Sequence, residues 1–188
     1  STPRRSSSTW TSCAPRPSSD AGPIHRSVTY VGAYQPGYYL LVGLPSRWLP
    51  PSTGIHAMRI VSALLAAALL ASAAVSLLGL GRGPWSVVGF AVALTPTVLF
   101  LSGSINPNGL EIAAAAAVWT SVAALLAGSG PVPSRLVARV GVAALVLACA
   151  RPTSPVVLVA IVLLSLVHGA SRIRLAELWA SLRLRVMV

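Results

Sequence analysis

The chain has 188 residues, 55% hydrophobic and 9% charged, with a mean hydropathy of +0.77. Its apolar runs are too long for the core of a soluble protein of this size, so composition excludes a soluble globular domain and points to an integral membrane protein. The net charge of +11 comes from fourteen arginines and no lysine, but the arginines are scattered between apolar runs. That pattern suits topological anchors and argues against a nucleic-acid-binding surface.

Residues 1–27 are rich in Ser, Pro, Thr and Arg, show no apolar period and lack the continuous apolar core of a signal peptide, so we read them as a disordered segment. The chain opens on Ser1 with no initiating Met. We therefore expect it to be part of a longer protein, or an open reading frame with a misplaced start. The all-arginine usage beside abundant Ala, Pro and Gly fits a GC-rich bacterial genome. Two cysteines, Cys13 in this head and Cys149 inside an apolar run, offer neither a disulfide framework nor metal-ligand spacing, and Cys149 reads as a small helix-packing residue.

Tyr38 to Leu49 is apolar and aromatic but broken by Pro45 and Arg47, which predicts an interfacial helix or the stub of another span. Ile60 to Leu80 is free of charge and flanked by Arg59 and Arg82. At about 1.5 Å per residue it crosses the roughly 30 Å hydrocarbon core. A second span is predicted over 85–101, kinked at Pro96. A third, over 109–126, starts at the Asn106-Pro107-Asn108-Gly109 turn, with Asn108 as the cap and Glu111 in the first helical turn, where the helix dipole favours an acid. A fourth span, over 136–150, needs Arg139 to snorkel to the interface. The Arg151-Pro152-Thr153-Ser154-Pro155 turn then leads into a fifth, over 154–168, and a basic tail occupies 169–188. The expected fold is an all-α, polytopic membrane helical bundle of about five transmembrane helices plus the interfacial N-terminal helix, packed through Ala, Gly and Ser.

Arginine counting orients it. One side collects Arg82, Arg135, Arg139 and the four arginines of the tail, and the other collects Arg47, Arg59 and Arg151, seven against three. Positive residues are retained in the cytoplasm, so the tail is expected there, in a multi-pass protein of a bacterial plasma membrane. Gln35, Tyr38, Tyr39, Arg59, the turn from Asn106 to Glu111, and Arg151 then share the extracytoplasmic face. Ionisable groups at membrane depth are costly and mark candidate sites. Glu111 is the candidate catalytic group, set against a plain role as a helix-start charge. Arg59 and Arg151 are candidate ligands of a lipid phosphate, set against snorkelling to headgroups. Gln35, Tyr38, Tyr39, Asn106 and Asn108 are candidate substrate contacts, set against an aromatic belt and ordinary turn chemistry. His25, His56 and His168 are isolated from one another and from any acid, so no catalytic triad or metal cluster is expected. No cofactor is evident, a divalent metal in the full-length protein is left open, and the expected surroundings are a lipid bilayer.

Four separated motifs then carry a resemblance: Gln35-Pro36-Gly37-Tyr38-Tyr39; Ala57-Met58-Arg59-Ile60-Val61-Ser62; Leu94-Thr95-Pro96 running into Ser104-Ile105-Asn106-Pro107-Asn108-Gly109-Leu110-Glu111; and Ala150-Arg151-Pro152. In this order they resemble the bacterial membrane-protein family known as domain of unknown function 2142, over roughly residues 33–168. That family is similar to the C-type glycosyltransferase superfamily, whose members take a sugar from a polyprenyl-phosphate carrier at the outer face of the membrane. Pro36 with Tyr38-Tyr39, Arg59-Ile60 and Thr95-Pro96 match the superfamily's pattern. Its principal acid lies in the first outer loop, after a first membrane helix that this chain lacks, and Asp20 does not take that role. The resemblance implies an inverting transfer of sugar from a polyprenyl-phosphate-linked donor, with Arg59 and Arg151 holding the phosphate. A transporter or flippase for lipid-linked saccharides, and an inactive scaffold fragment, are the alternatives.

Overall fold

A computed structural model of the chain describes residues 36–128 and 131–169, with side chains up to residue 167. The expectations placed on Gln35, on the head with Cys13, Asp20 and His25, on the side chain of His168 and on the tail from residue 170 lie outside the described residues. Seven helices make up the described chain, with no strand among these residues: α1 Pro36–Val42, α2 Pro51–Gly79, α3 Pro84–Ala93, α4 Pro96–Ser102, α5 Pro107–Ala127, α6 Ser134–Ala150 and α7 Ser154–Gly169. A single 3-10 turn, Leu44–Arg47, joins α1 to α2.

Helices α1 to α5 all begin on proline. Proline at the first helical position has its φ preset and lacks only an N–H that would have had no partner there. This explains the main boundary difference from the sequence reading: α2 starts at Pro51, not near Ile60, because the helix follows the proline start and not the uncharged window. Pro96 likewise does more than kink the second span. The helix ends at Ala93, Thr95 caps a new one by accepting a hydrogen bond from the Val98 amide at 3.4 Å, and the two axes meet at 64°. Two helices, α2 and α5, are long and apolar enough to cross a membrane, or three spans if the bent α3–α4 pair counts as one. With 17 residues, α6 sits at the lower edge of the roughly 17–25 residues a span needs, and α7, with 16, falls just short.

The distribution of burial is that of a protein in lipid. On α2 the buried residues from Ser62 onward are Ser62, Ala66, Leu69, Ala73 and Ser76, a 4-3-4-3 spacing that keeps one seam of the helix toward its neighbour. On α5 they include Gly109, Ala113, Ala114, Ala117 and Ser121. Meanwhile Ile60, Leu64, Leu78, Trp85, Val92, Leu145 and Leu163 are exposed. Water would penalise that arrangement, whereas hydrocarbon does not, and close backbone approach through small residues supplies the packing energy. Helix α5 is the hub, packing against α2, α4, α6 and α7, while α2 and α6 barely touch each other. Where α2 meets α5, Ser76 donates to the Ser72 carbonyl at 2.9 Å and pairs with the Ser121 hydroxyl at 3.1 Å, so both buried hydroxyls are satisfied.

The expected interfacial helix is tied into this bundle. Tyr38 and Val42 of α1 are buried, and Gly37 rests over the Cys149 carbonyl of α6, where a Cβ would come within 3.3 Å. Cys149 thus contributes backbone to the packing while its side chain stays exposed. The chain runs out along α2, back along α3 and α4, out along α5, back along α6 and out again along α7. One end of the bundle therefore collects α1, the 103–106 turn and the 151–153 turn, and the other collects residues 80–83, Gly128 and residues 131–133.

Among the described glycines, Gly109 makes the closest approach from one α-helix to another. A Cβ there would lie 2.5 Å from the Leu101 carbonyl oxygen and 2.8 Å from the Ser102 amide nitrogen, both backbone atoms of α4. Gly109→Ala should therefore destabilise the protein by about 1–3 kcal/mol through overpacking, read as a lower unfolding midpoint in detergent. Gly103→Ala, whose Cβ would meet only ordinary contacts at 3.8 Å, should be close to neutral.

Candidate functional site

The polar residues that the sequence placed on one face do meet at one end of the bundle. Asn106 caps α5, its Oδ1 accepting from the Asn108 amide at 3.0 Å, with Pro107 in the first helical position. The cap is therefore Asn106, not Asn108. Counting from it puts Glu111 in the second turn, not the first, and no acid lies in the first turn of α5. The dipole reading of Glu111 gives way to a direct one. Arg151 Nη1 donates to Glu111 Oε2 at 3.2 Å, and the Ser154 hydroxyl donates to Oε1 at 2.7 Å.

This arrangement clamps three helices. Arg151 closes α6, Pro152 prevents the helix from continuing, and Ser154 opens α7, so the turn wraps the carboxylate of α5. Both oxygens of Glu111 are engaged, and the side chains of Glu111 and Arg151 are 14% and 30% exposed. Charge-assisted bonds in such partly desolvated surroundings are stronger than their surface equivalents. A carboxylate held in this way is poorly placed to take a proton from a substrate. Glu111 is also the only acid among the described residues, and these contain no group of three or more His, Cys, Asp or Glu side chains.

A second set of contacts lies beside the first. The Tyr38 hydroxyl bonds to Ser62 Oγ at 3.0 Å, and Ser62 donates in turn to the Ser104 carbonyl at 3.0 Å. The chain of bonds therefore runs from α1 through α2 into the turn before α5. Tyr38 is fully buried there, and Tyr39 meets it edge to face, with ring centroids 5.1 Å apart. One turn of α2 earlier, Arg59 Nε donates to the Gly103 carbonyl at 3.1 Å while the side chain stays exposed. A guanidinium offers five N–H donors, so this single bond fixes its position and leaves the others for an anion.

The structure thus brings together Tyr38, Tyr39, Arg59, Asn106, Asn108, Glu111 and Arg151. Ser62 and Ser104 stand in the motifs that carry the resemblance and Ser154 in the 151–155 turn, but none of the three was singled out as a site residue from the sequence. Ser62 carried a signal, as the first member of the 4-3-4-3 seam and three residues after Arg59. Ser154, in a Pro/Ser/Thr turn, carried none beyond turn chemistry.

A double-mutant cycle on Glu111→Gln and Arg151→Gln tests the clamp. Each single change should cost about 2 kcal/mol of stability in detergent, with a coupling energy of about 1 kcal/mol or more. Strict additivity would mean that the pair contributes nothing.

The family model described as Predicted membrane protein (DUF2142) matches residues 6–185. The match is wider than the stretch of roughly 33–168 carried by the four motifs, and takes in most of the Ser/Pro/Arg-rich head that the motifs do not reach. No curated protein matches the chain, and no solved structure does. With nearly the whole length matched and a helical bundle whose small residues face inward and whose large apolar residues face outward, the chain belongs to the DUF2142 family of predicted membrane proteins.

Proposed function

We propose that the chain is the membrane-helical part of a glycosyltransferase that uses a polyprenyl-phosphate-linked sugar at the outer face of a bacterial plasma membrane, and that Arg59 receives the phosphate of that carrier. The observation that carries this reading is the state of Arg59. It is exposed, anchored by one bond to the Gly103 carbonyl, and stands at the end of the bundle where the polar turns converge. A preplaced guanidinium of this kind suits a phosphate group, which it can meet with two parallel hydrogen bonds. In an inverting transfer the acceptor hydroxyl attacks the anomeric carbon as the bond to the carrier phosphate breaks, and Arg59 would stabilise the charge gathering on that leaving group.

Glu111 has a different part in this scheme. With its oxygens committed to Arg151 and Ser154, it holds the 151–154 turn in place, and the base that takes the acceptor proton falls to residues outside those described. Arg151 acts through the same clamp, as a positioning residue. The arginines at the opposite end, Arg82, Arg135 and Arg139, support an outer location for the Arg59 end. A flippase would need polar groups along a path through the bilayer. Between α2 and α5, Ser76 and Ser121 pair with each other and line no such path, which favours the transferase reading.

Arg59→Ala in the full protein should lower kcat/KM for sugar transfer from a polyprenyl-phosphate donor by about tenfold or more, the loss of one charged hydrogen-bonding group, with membrane insertion unchanged. Arg59→Lys should recover part of the loss. Full activity in Arg59→Ala would overturn the assignment.

A further inference from the structure

The far end of the bundle carries a separate feature. Because α2 and α6 both pack on α5 but barely touch each other, a seam stays open between them. Its upper part is a groove of about 360 Å³, lined by residues such as Leu65, Leu69, Val142 and Val146 and ending at Arg139. Its lower part is a pocket of about 400 Å³ whose lining includes Ser76, Gly128, Arg135 and Arg139. Arg139 lines both, and α2 contributes Ser72 to the first and Val75 and Ser76 to the second, one helical turn on. The two adjoin at Arg139 along the same pair of helices, the first apolar and the second carrying Arg135 as well.

Neither Arg135 nor Arg139 has a hydrogen-bond or salt-bridge partner among the described residues. The one carboxylate among those residues, Glu111, is committed to Arg151 at the opposite end. Two cations thus stand at the mouth of an apolar groove with no counter-charge from the described chain. Basic pockets between membrane helices are where anionic headgroups bind, because the phosphate gains Coulomb energy while its chain stays in an apolar environment.

We infer that the α2–α6 seam is a binding site for one anionic phospholipid, with an acyl chain in the apolar groove and its phosphate on Arg135 and Arg139. The occupant is a phospholipid and not a free anion because the basic pocket adjoins an apolar groove that a free anion would leave empty. The arginines of the site are at the other end of the bundle from Arg59, although the groove reaches Leu41 of α1 and Leu110 of α5, and its test does not depend on the proposed sugar transfer.

The test uses the full protein in nanodiscs of phosphatidylcholine and phosphatidylglycerol in equal parts, released into native mass spectrometry. One phosphatidylglycerol should be retained in preference to phosphatidylcholine. Arg135→Gln with Arg139→Gln should reduce its retention about tenfold or more, while the Lys pair at the same positions keeps it. Ala68→Phe, which fills the groove and leaves both charges, should also lose it. Arg82→Gln, a cation at the same end that lies outside the seam, should change nothing. Equal retention of the two lipids, equal loss in Arg82→Gln, no loss in the double variant, or a polyprenyl phosphate in place of the phospholipid would overturn the assignment.

Discussion

Everything in this bundle depends on how closely other backbones can approach α5. In lipid there is little hydrophobic gain from bringing two helices together, since hydrocarbon is already as apolar as leucine, so association rests on contact distance and on polar bonds that have nowhere else to go. The Ala-rich face of α5 provides the first, letting α2, α4, α6 and α7 all reach one central helix. Ser121 and Glu111 provide the second, one in mid-bundle and one near the end. The α2–α6 seam follows from the same geometry, because two helices that share a hub need not meet each other.

The polar end shows how a site can be rigid without being reactive. Two turns converge there beside α1, and each is tied by side chains from other elements: Ser62 to the Ser104 carbonyl and Arg59 to the Gly103 carbonyl hold the first, and Glu111 holds the 151–154 turn. Most of the hydrogen-bonding capacity is spent on holding the turns. Arg59 is the exception that makes the end a binding surface as well as a joint.

Much of this was legible in the sequence, for specific reasons. The length of the apolar runs and the turns at 106–109 and 151–155 located the helices to within a few residues, except at α2, where Pro51 outweighed the uncharged window. The rule that arginine stays on one side brought Arg59, the Asn106 turn and Arg151 onto a common face. The ion pair itself was not legible. Glu111 and Arg151 are forty residues apart, and their meeting depends on the rotation of α6 against α5, which no local pattern encodes. Burial of Tyr38 was hidden in the same way, because a seven-residue aromatic helix reads as interfacial until α6 is seen to offer the Cys149 backbone as its seat. The break at Thr95 was half visible: Pro96 announces a disturbance, but whether a helix bends or restarts depends on whether the preceding residue can cap, and threonine can.

The inward placement of small residues reverses the usual map of mutational tolerance. In a soluble domain the large apolar residues are the fragile ones and the serines and alanines are expendable. Here Leu64, Leu145 and Leu163 face outward, where one lipid-soluble side chain replaces another at little cost, whereas Ala66, Ala73, Ala113 and Ala117 are fully buried, so that any added bulk must be taken up by the packed helices. Variation among such chains should therefore run through the bulky positions and leave the plainest residues untouched.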